Sequence, residues 1–341
     1  MITTRLTSLL GIRHPIIQDG MGGGPLGTAR LAAAVSNAGG LGSMSIPQIT
    51  NVDDLERSIR EQIEACLELT SSTVAMNVPV GRDSAGKVLA GTTAILRLIF
   101  EARRADSSVE RQLRVLTTSA GFPGEFREQI RGAGLIHMHK VGAPRHAEKA
   151  AAAGVDVVIA SGFEMGGHTL AIPITTMVLG PEVLRRIDVP VVLSGGFKDG
   201  RGLAAALAMG AAGIAMGTRF LATAENDWHP AFIQRILDAQ IEESVVLPGM
   251  YGPARFLQSH GTERLRRIVE CHEMPEHELS LWKENAVKAA QRDGDVENGL
   301  VPAGQVAGFI DDRPSAVELL QRIVAQAEER LTASAALVRA K

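Results

Sequence analysis

Ile-Ala-Ser-Gly-Phe-Glu-Met-Gly-Gly-His-Thr-Leu, residues 159–170, is the stretch around which the rest of the chain is organised. It begins at the end of Val155–Ile159, an apolar run typical of a buried strand. It continues as a loop with three glycines, one acid and one histidine. A strand that ends in glycines brings backbone N–H groups close to a flat or anionic ligand. His168 adds a ring that titrates near neutral pH, although a lone histidine is equally typical of a hydrogen-bonded loop.

The composition excludes several classes of protein. The chain has 341 residues, of which 45% are hydrophobic and 21% charged, as is ordinary for a globular protein. A net charge of -3 without a basic block gives no reason to expect a nucleic-acid partner. No apolar run reaches the ~18 residues of a membrane span, and Met1–Leu10 lacks the apolar core of a signal peptide. With only Cys66 and Cys271, far apart in sequence, we expect reduced thiols and a cytoplasmic protein.

Short apolar runs alternate with helical patterns from the start of the chain to about residue 220. This alternation predicts an α/β fold with a parallel sheet. Eight units suit a closed (β/α)8 TIM barrel, for which about 250 residues is typical; a doubly wound open sheet is the alternative. The predicted strands begin near Pro15, Gly40, Thr73, Leu113, Leu135, Val155, Val189 and Gly213.

The alternation stops at Glu225. Residues 225–299 are richer in charge, histidine and tryptophan and show no clear strand pattern. We therefore predict a barrel formed by residues 1–224 and 300–341, with 225–299 as a helical insertion that forms a lid after the eighth strand. A separate small C-terminal domain is the alternative. Loops of this length in compact domains are usually functional, so we expect Tyr251 and Arg255 to contact the substrate across from His168.

Two glycine-rich strand ends predict a phosphate site. Ser194-Gly195-Gly196 follows the seventh predicted strand, Met216-Gly217-Thr218 follows the eighth, and a predicted helix follows each. Backbone N–H groups and helix dipoles at such places bind phosphate, and this is the usual phosphate position in (β/α)8 barrels. Ordinary turn glycines are the alternative.

His137-Met138-His139-Lys140 lies at the end of the fifth predicted strand. The two histidines share one face of the strand, but no third ligand stands nearby at a spacing that a metal site needs. We predict no metal. We expect both histidines to face the helix layer and Lys140 to point into the mouth of the barrel.

Several short motifs together resemble one enzyme family. They are Asp19–Gly22, Ala38–Gly42, Glu164–His168, Ser194–Gly202, Met216–Leu221 and Ala303–Asp312. These motifs are similar to those of the nitronate monooxygenase (2-nitropropane dioxygenase-like) family of FMN-dependent barrels, and they span nearly the whole chain. The family also contains NAD(P)H:quinone reductases, enoyl-thioester reductases and CoA-thioester dehydrogenases.

The resemblance implies a complete FMN site with His168 as the catalytic residue. Glycines and Met21 would lie against the isoalloxazine, Asn77 would bond its pyrimidine edge, and Lys140 would stabilise the reduced flavin. The two predicted phosphate loops would hold the phosphate, and Gln305 would close the site. The residues that the resemblance assigns to FMN are Gly20, Met21, Gly22, Asn77, Lys140, Ser161, Gly162, Gly166, Gly167, Ser194, Gly195, Gly196, Met216, Gly217, Thr218 and Gln305.

The resemblance leaves three functions open. The first is oxidation of a nitronate or nitroalkane with O2, through reduced flavin and His168. The second is an NAD(P)H-dependent reductase of quinones or enoyl thioesters, or a CoA-thioester dehydrogenase; NAD(P)H is then an optional co-substrate. The third is a non-catalytic flavin-binding protein, against which His168 argues. The partner that we expect is a small-molecule substrate, and a homodimer remains open.

Overall fold

The computed structural model describes residues 2–22, 28–45, 53–81, 86–170, 172–249 and 252–338. Within these ranges, no helix is both long and apolar enough to cross a membrane. The strands are β1 (Ile16–Gln18), β2 (Gly42–Ser45), β3 (Val74–Pro79), β4 (Leu113–Ser119), β5 (Ile136–Val141), β6 (Val157–Ser161), β7 (Gly167–His168), β8 (Val191–Ser194), β9 (Gly213–Met216), β10 (Ser244–Pro248), β11 (Pro253–Leu257) and β12 (Val301–Pro302). The helices are α1 (Arg5–Leu10), α2 (Ala29–Asn37), α3 (Asp53–Leu69), α4 (Ala90–Ala105), α5 (Ser107–Gln112), α6 (Arg127–Gly132), α7 (Pro144–Ala152), α8 (Thr176–Arg186), α9 (Gly200–Ala208), α10 (Thr218–Leu221), α11 (Pro230–Leu237), α12 (His260–Cys271), α13 (Glu276–Lys288) and α14 (Ala316–Ala335).

Eight parallel strands form the barrel, in the order β1-β9-β8-β6-β5-β4-β3-β2. The two edge strands meet through a bridge between Ile17 and Leu41. There the Leu41 amide donates to the Ile16 carbonyl at 3.0 Å, and the Gln18 amide donates to the Leu41 carbonyl at 2.9 Å. The sheet is therefore a nearly closed barrel, and the predicted fold class is confirmed.

Small and branched apolar side chains fill the barrel interior. Because side chains alternate across a strand, seven of the eight barrel strands contribute one or two apolar side chains, among them Ala75, Met138 and Ile159. Leu41, directly before β2, belongs to the same cluster. Helix α1, which the sequence pattern did not indicate, closes the amino-terminal end. Its Leu6 and Leu10 are fully buried in the same cluster, and burial of each contributes roughly 1.5–3 kcal/mol.

Helix α14, near the carboxyl end of the chain, completes the ring of helices around the barrel. The helix that directly follows β9 is α10, with only four residues. Leu319 and Ile323 of α14 instead pack in one cluster with Leu31 of α2 and Leu203 of α9. A side chain at Gly200 would collide with the carbonyl of Ile323, so glycine is needed where α9 crosses α14. The chain between β9 and α14 is thus an excursion from the barrel.

This excursion contains helices α11, α12 and α13, as expected for residues 225–299, and also a β-hairpin that the sequence pattern did not indicate. Strands β10 and β11 pair antiparallel. Strand β11 also pairs with β12 and with β7, which belongs to the loop after β6. The second sheet therefore ties the insertion to the central Gly-rich loop. The division into 1–224, 225–299 and 300–341 stays a prediction.

Candidate active site

A cavity of about 1060 Å³ lies at the carboxyl ends of the barrel strands, where the insertion faces them. Pockets for small molecules usually measure ~300–1,000 Å³, so this one can hold more than one small ligand. Active sites of (β/α)8 enzymes lie at this end of the barrel. The predicted site residues in its wall are Gly20, Met21, Gly22, Asn77, Lys140, Ser161, Gly166, Gly167, His168, Ser194, Gly195, Gly196, Met216, Gly217 and Thr218.

The loop after β8 has the geometry of a phosphate cradle. Gly195 and Gly196 adopt φ angles of 101° and 81°, the left-handed region that glycine tolerates best. A Cβ at Gly195 would lie only 3.0 Å from the Gly162 carbonyl and from Thr176 Oγ1. Among the described residues, the backbone N–H groups of Gly196 and Thr218 have no hydrogen-bond acceptor. Such N–H groups at the cavity wall suit an anionic ligand.

Glu164 ties the central loop to this cradle, a role that sequence reasoning missed. Its carboxylate accepts hydrogen bonds from the Thr176 amide at 2.9–3.0 Å, where a negative charge also favours the start of α8. The Thr176 hydroxyl lies 2.9 Å from the Gly195 carbonyl and 3.1 Å from that of Ser194. Thr176 therefore fixes the two cavity loops relative to each other.

Lys140 reaches the barrel mouth, as predicted, but it does so as part of an ion pair. Its Nζ lies 2.6 Å from Asp19 Oδ2, and both side chains are largely buried. Asp19 also accepts from the Ser194 hydroxyl at 3.0 Å and from the Gly20 amide at 3.0 Å. Removing one partner of a buried pair typically costs ~3–5 kcal/mol. Asp19, which directly follows β1, belongs to the quoted motif Asp19–Gly22, but no role was predicted for it from the sequence.

Two buried hydroxyl groups lie at the rim of the barrel, in the cavity wall. In the described part of the chain, the buried hydroxyls of Ser45 and Ser161 have no hydrogen-bond partner, and both residues line the cavity together with Asn77. Buried polar atoms in native proteins are nearly always satisfied. A molecule with a phosphate at one end and a hydrogen-bonding ring at the other matches the cradle and this rim, so the site fits a flavin mononucleotide.

His168 is held in the cavity wall by the second sheet, where β7 pairs with β11 and places His168 opposite Ala254. Burial, followed by the positive charge of Lys283, lowers the pKa of His168 to about 4. The ring is therefore neutral at pH 7 and can accept a proton. Lys283 itself lines the cavity, and no sequence signal distinguished it from the other lysines of a helix.

Three predicted residues within the described part of the chain, Arg255, Gly162 and Gln305, do not line the cavity. Arg255 donates to the Ser244 hydroxyl and to the Phe163 carbonyl, both at 2.8 Å, and lies over the Phe163 ring. The structure thus corrects its interpretation: Arg255 connects the hairpin to the central loop. Gly162 packs against Thr176, Gln305 is exposed, and Tyr251 lies outside the described residues.

His137 and His139 flank the inward-facing Met138 and point out of the barrel. Each has a ring nitrogen 2.8 Å from the Thr118 hydroxyl. Burial is the main cause that lowers the pKa of His137 to about 3 and that of His139 to about 4. Both are thus neutral at pH 7 and form a buried hydrogen-bonded group with Thr118; His139 also lines the cavity.

A (β/α)8 barrel whose cavity carries glycine-rich loops after its last two strands and a neutral histidine has the arrangement typical of a barrel enzyme. The nitronate monooxygenase family model matches residues 3–326. The chain therefore belongs to the nitronate monooxygenase family and is an oxidoreductase. Members of this family are typically flavin-dependent.

Individual relatives cover nearly the full chain. A (3aS,4S,5R,7aS)-5-hydroxy-7a-methyl-1-oxo-octahydro-1H-indene-4-carboxyl-CoA dehydrogenase of Mycobacterium tuberculosis is 33% identical over 99% of both chains. A probable nitronate monooxygenase of Staphylococcus saprophyticus is 30% identical over 96% of this chain and 98% of its own. The structure of FabK from Thermotoga maritima is 32% identical and superposes with a TM-score of 0.84, covering 99% of this chain and 100% of that one.

Proposed function

We propose that the protein is an FMN-dependent dehydrogenase of acyl-CoA thioesters. The observation that carries this proposal is the cavity of about 1060 Å³ that His168 faces. That volume leaves room for a bulky acyl group beside a flavin, whereas a small nitronate would fill little of it. The Mycobacterium tuberculosis relative, whose name describes a bicyclic CoA thioester as its substrate, supports the same class.

The residues that would hold FMN belong to the barrel. Gly196 and Thr218 would donate backbone N–H groups to its phosphate, while Asn77 and Ser161 would bond the ring. Lys140 would lie near the ring, fixed by Asp19. When bound, FMN supplies an acceptor for a hydride.

His168 would remove the proton from the carbon next to the thioester carbonyl. Because its pKa is about 4, the ring is already in its basic form at neutral pH. Its position opposite Ala254 on the hairpin holds it at one wall of the cavity. Loss of that proton and of a hydride from the adjacent carbon would leave an α,β-unsaturated thioester.

Oxidation of a nitronate is the second candidate. The Staphylococcus saprophyticus relative favours it, and a neutral histidine beside a flavin suits either substrate. The two candidate functions differ in the size of the substrate that the cavity must hold: a bulky acyl thioester or a small nitronate.

The test is anaerobic mixing of the flavin-loaded enzyme with each reductant in turn. A saturated carbocyclic acyl-CoA should bleach the flavin within seconds, whereas ethyl nitronate, NADH and NADPH should not. Bleaching by the nitronate alone would contradict the proposal in favour of the second candidate. Bleaching by NADPH alone would make the protein a reductase.

A further inference from the structure

Lys283 is a cation buried in the wall of the cavity. Its residue exposure is only 6%, and it stands on α13 of the insertion, away from the barrel strands. Its Nζ donates to the Gly249 carbonyl at 2.7 Å. Removal of an ammonium from water is costly, so a lysine kept at such a place commonly has a role in the chemistry of the site.

Lys283 and His168 belong to the same part of the wall. Gly249, which accepts the Lys283 bond, lies so close to the histidine that a Cβ there would be 3.2 Å from His168 Cδ2. The positive charge of Lys283 also acts on the imidazole and, after burial, helps to lower the pKa of His168. An anion formed beside His168 would therefore form within reach of that charge.

The proposed reaction creates such an anion. When His168 takes the proton from the carbon next to a thioester carbonyl, the C–H bonding electrons delocalise onto the carbonyl oxygen. A preorganised cation beside that oxygen lowers the barrier, because the charge is stabilised where it develops. Lys140 pairs with Asp19 at the ends of the barrel strands, whereas Lys283 reaches the cavity from the insertion.

We propose that Lys283 stabilises the enolate oxygen of the acyl thioester that His168 deprotonates. This assignment rests on the proposed function. It makes Lys283 a catalytic residue supplied by the insertion, so that the barrel provides the cofactor site and the insertion selects substrates with an acidic C–H next to a carbonyl.

The probe is acetoacetyl-CoA, whose enolate has a near-ultraviolet band and forms without any redox step. Bound to the wild-type enzyme at pH 7, it should show the enolate band. Lys283→Met should lower the bound enolate-to-keto ratio by at least about tenfold and kcat for dehydrogenation of a saturated acyl-CoA by about 10²-fold, the usual effect of losing one oxyanion contact. The KM should change little.

Two further variants make the result decisive. Lys283→Arg keeps the charge and should retain most of the enolate band. Lys198→Met removes a half-buried lysine outside the cavity wall that also donates to a carbonyl, that of Phe309 at 3.0 Å, and should behave as wild type. An unchanged enolate ratio in Lys283→Met, with the flavin content intact, would overturn the assignment of Lys283. Failure of the wild-type enzyme to bind any acyl-CoA would instead overturn the proposed function.

Discussion

At the scale of single residues, His168 shows how position rather than residue type marks a candidate catalytic group. From the sequence, it could equally be a hydrogen-bonded loop histidine. In the structure, the pairing of β7 with β11 places it in the cavity wall, and burial keeps it neutral. The roles of Asp19, Glu164 and Lys283 at the same cavity were not predicted, because they depend on contacts made across the fold.

Replacing His168 by alanine should abolish turnover but leave the cofactor in place. The expected loss is roughly 10²–10⁴-fold, as for other positioned acid–base groups, with the flavin content of the purified protein unchanged. His260→Ala, which removes an exposed histidine outside the cavity wall, is the control and should keep full activity. Equal rates for the two variants would return His168 to a structural role.

The protonation of the His168 imidazole predicts the pH profile of the wild-type enzyme. Because the pKa of His168 is lowered to about 4, its basic form is present above that value and is lost as pH falls through it. The pH dependence of kcat/KM should therefore be flat between pH 6 and 8 and should decline only toward pH 4. A limb near pH 6.5 that is absent in His168→Ala would contradict the lowered pKa.

At the scale of elements, the barrel strands were predictable and the second sheet was not. Parallel strands buried on both faces appear as short apolar runs bounded by glycines, and that pattern marks all eight. Strand β10 has three half-buried residues among its five, and β7 has only two residues. Strand β7 pairs with β11, which lies more than 80 positions further along the chain, and no local pattern reports such a partner.

The glycine loop after β8 gives an element-scale prediction for the cofactor. Gly196→Asp should abolish flavin binding, because a carboxylate would occupy the cradle meant for a phosphate. The matched control is Gly210→Asp, which places the same side chain at a φ angle of 96° with no neighbouring atom within 4 Å. Flavin content by absorbance should fall only in the first variant. A Gly196→Asp protein that retains its flavin absorbance would show that the phosphate lies elsewhere.

At the scale of the whole molecule, the site is assembled from both ends of the chain. The barrel contributes the cradle, the Lys140 and Asp19 pair and the polar rim, and all of these lie at or near the carboxyl ends of strands. The rule that chemistry lies at the carboxyl ends of barrel strands was enough to locate them. The insertion contributes Lys283 and the strand that holds His168, whereas Arg255 serves to connect the two parts.

The most direct test of the central claim is one anaerobic turnover of a saturated acyl-CoA deuterated at its α and β carbons. The account predicts an enoyl thioester that has lost one deuterium from each carbon, with one flavin reduced per thioester consumed. The α-deuterium should pass to solvent through His168, and this exchange should disappear in His168→Ala. A thioester recovered unchanged, while a nitronate or NADPH reduces the flavin, would contradict the account.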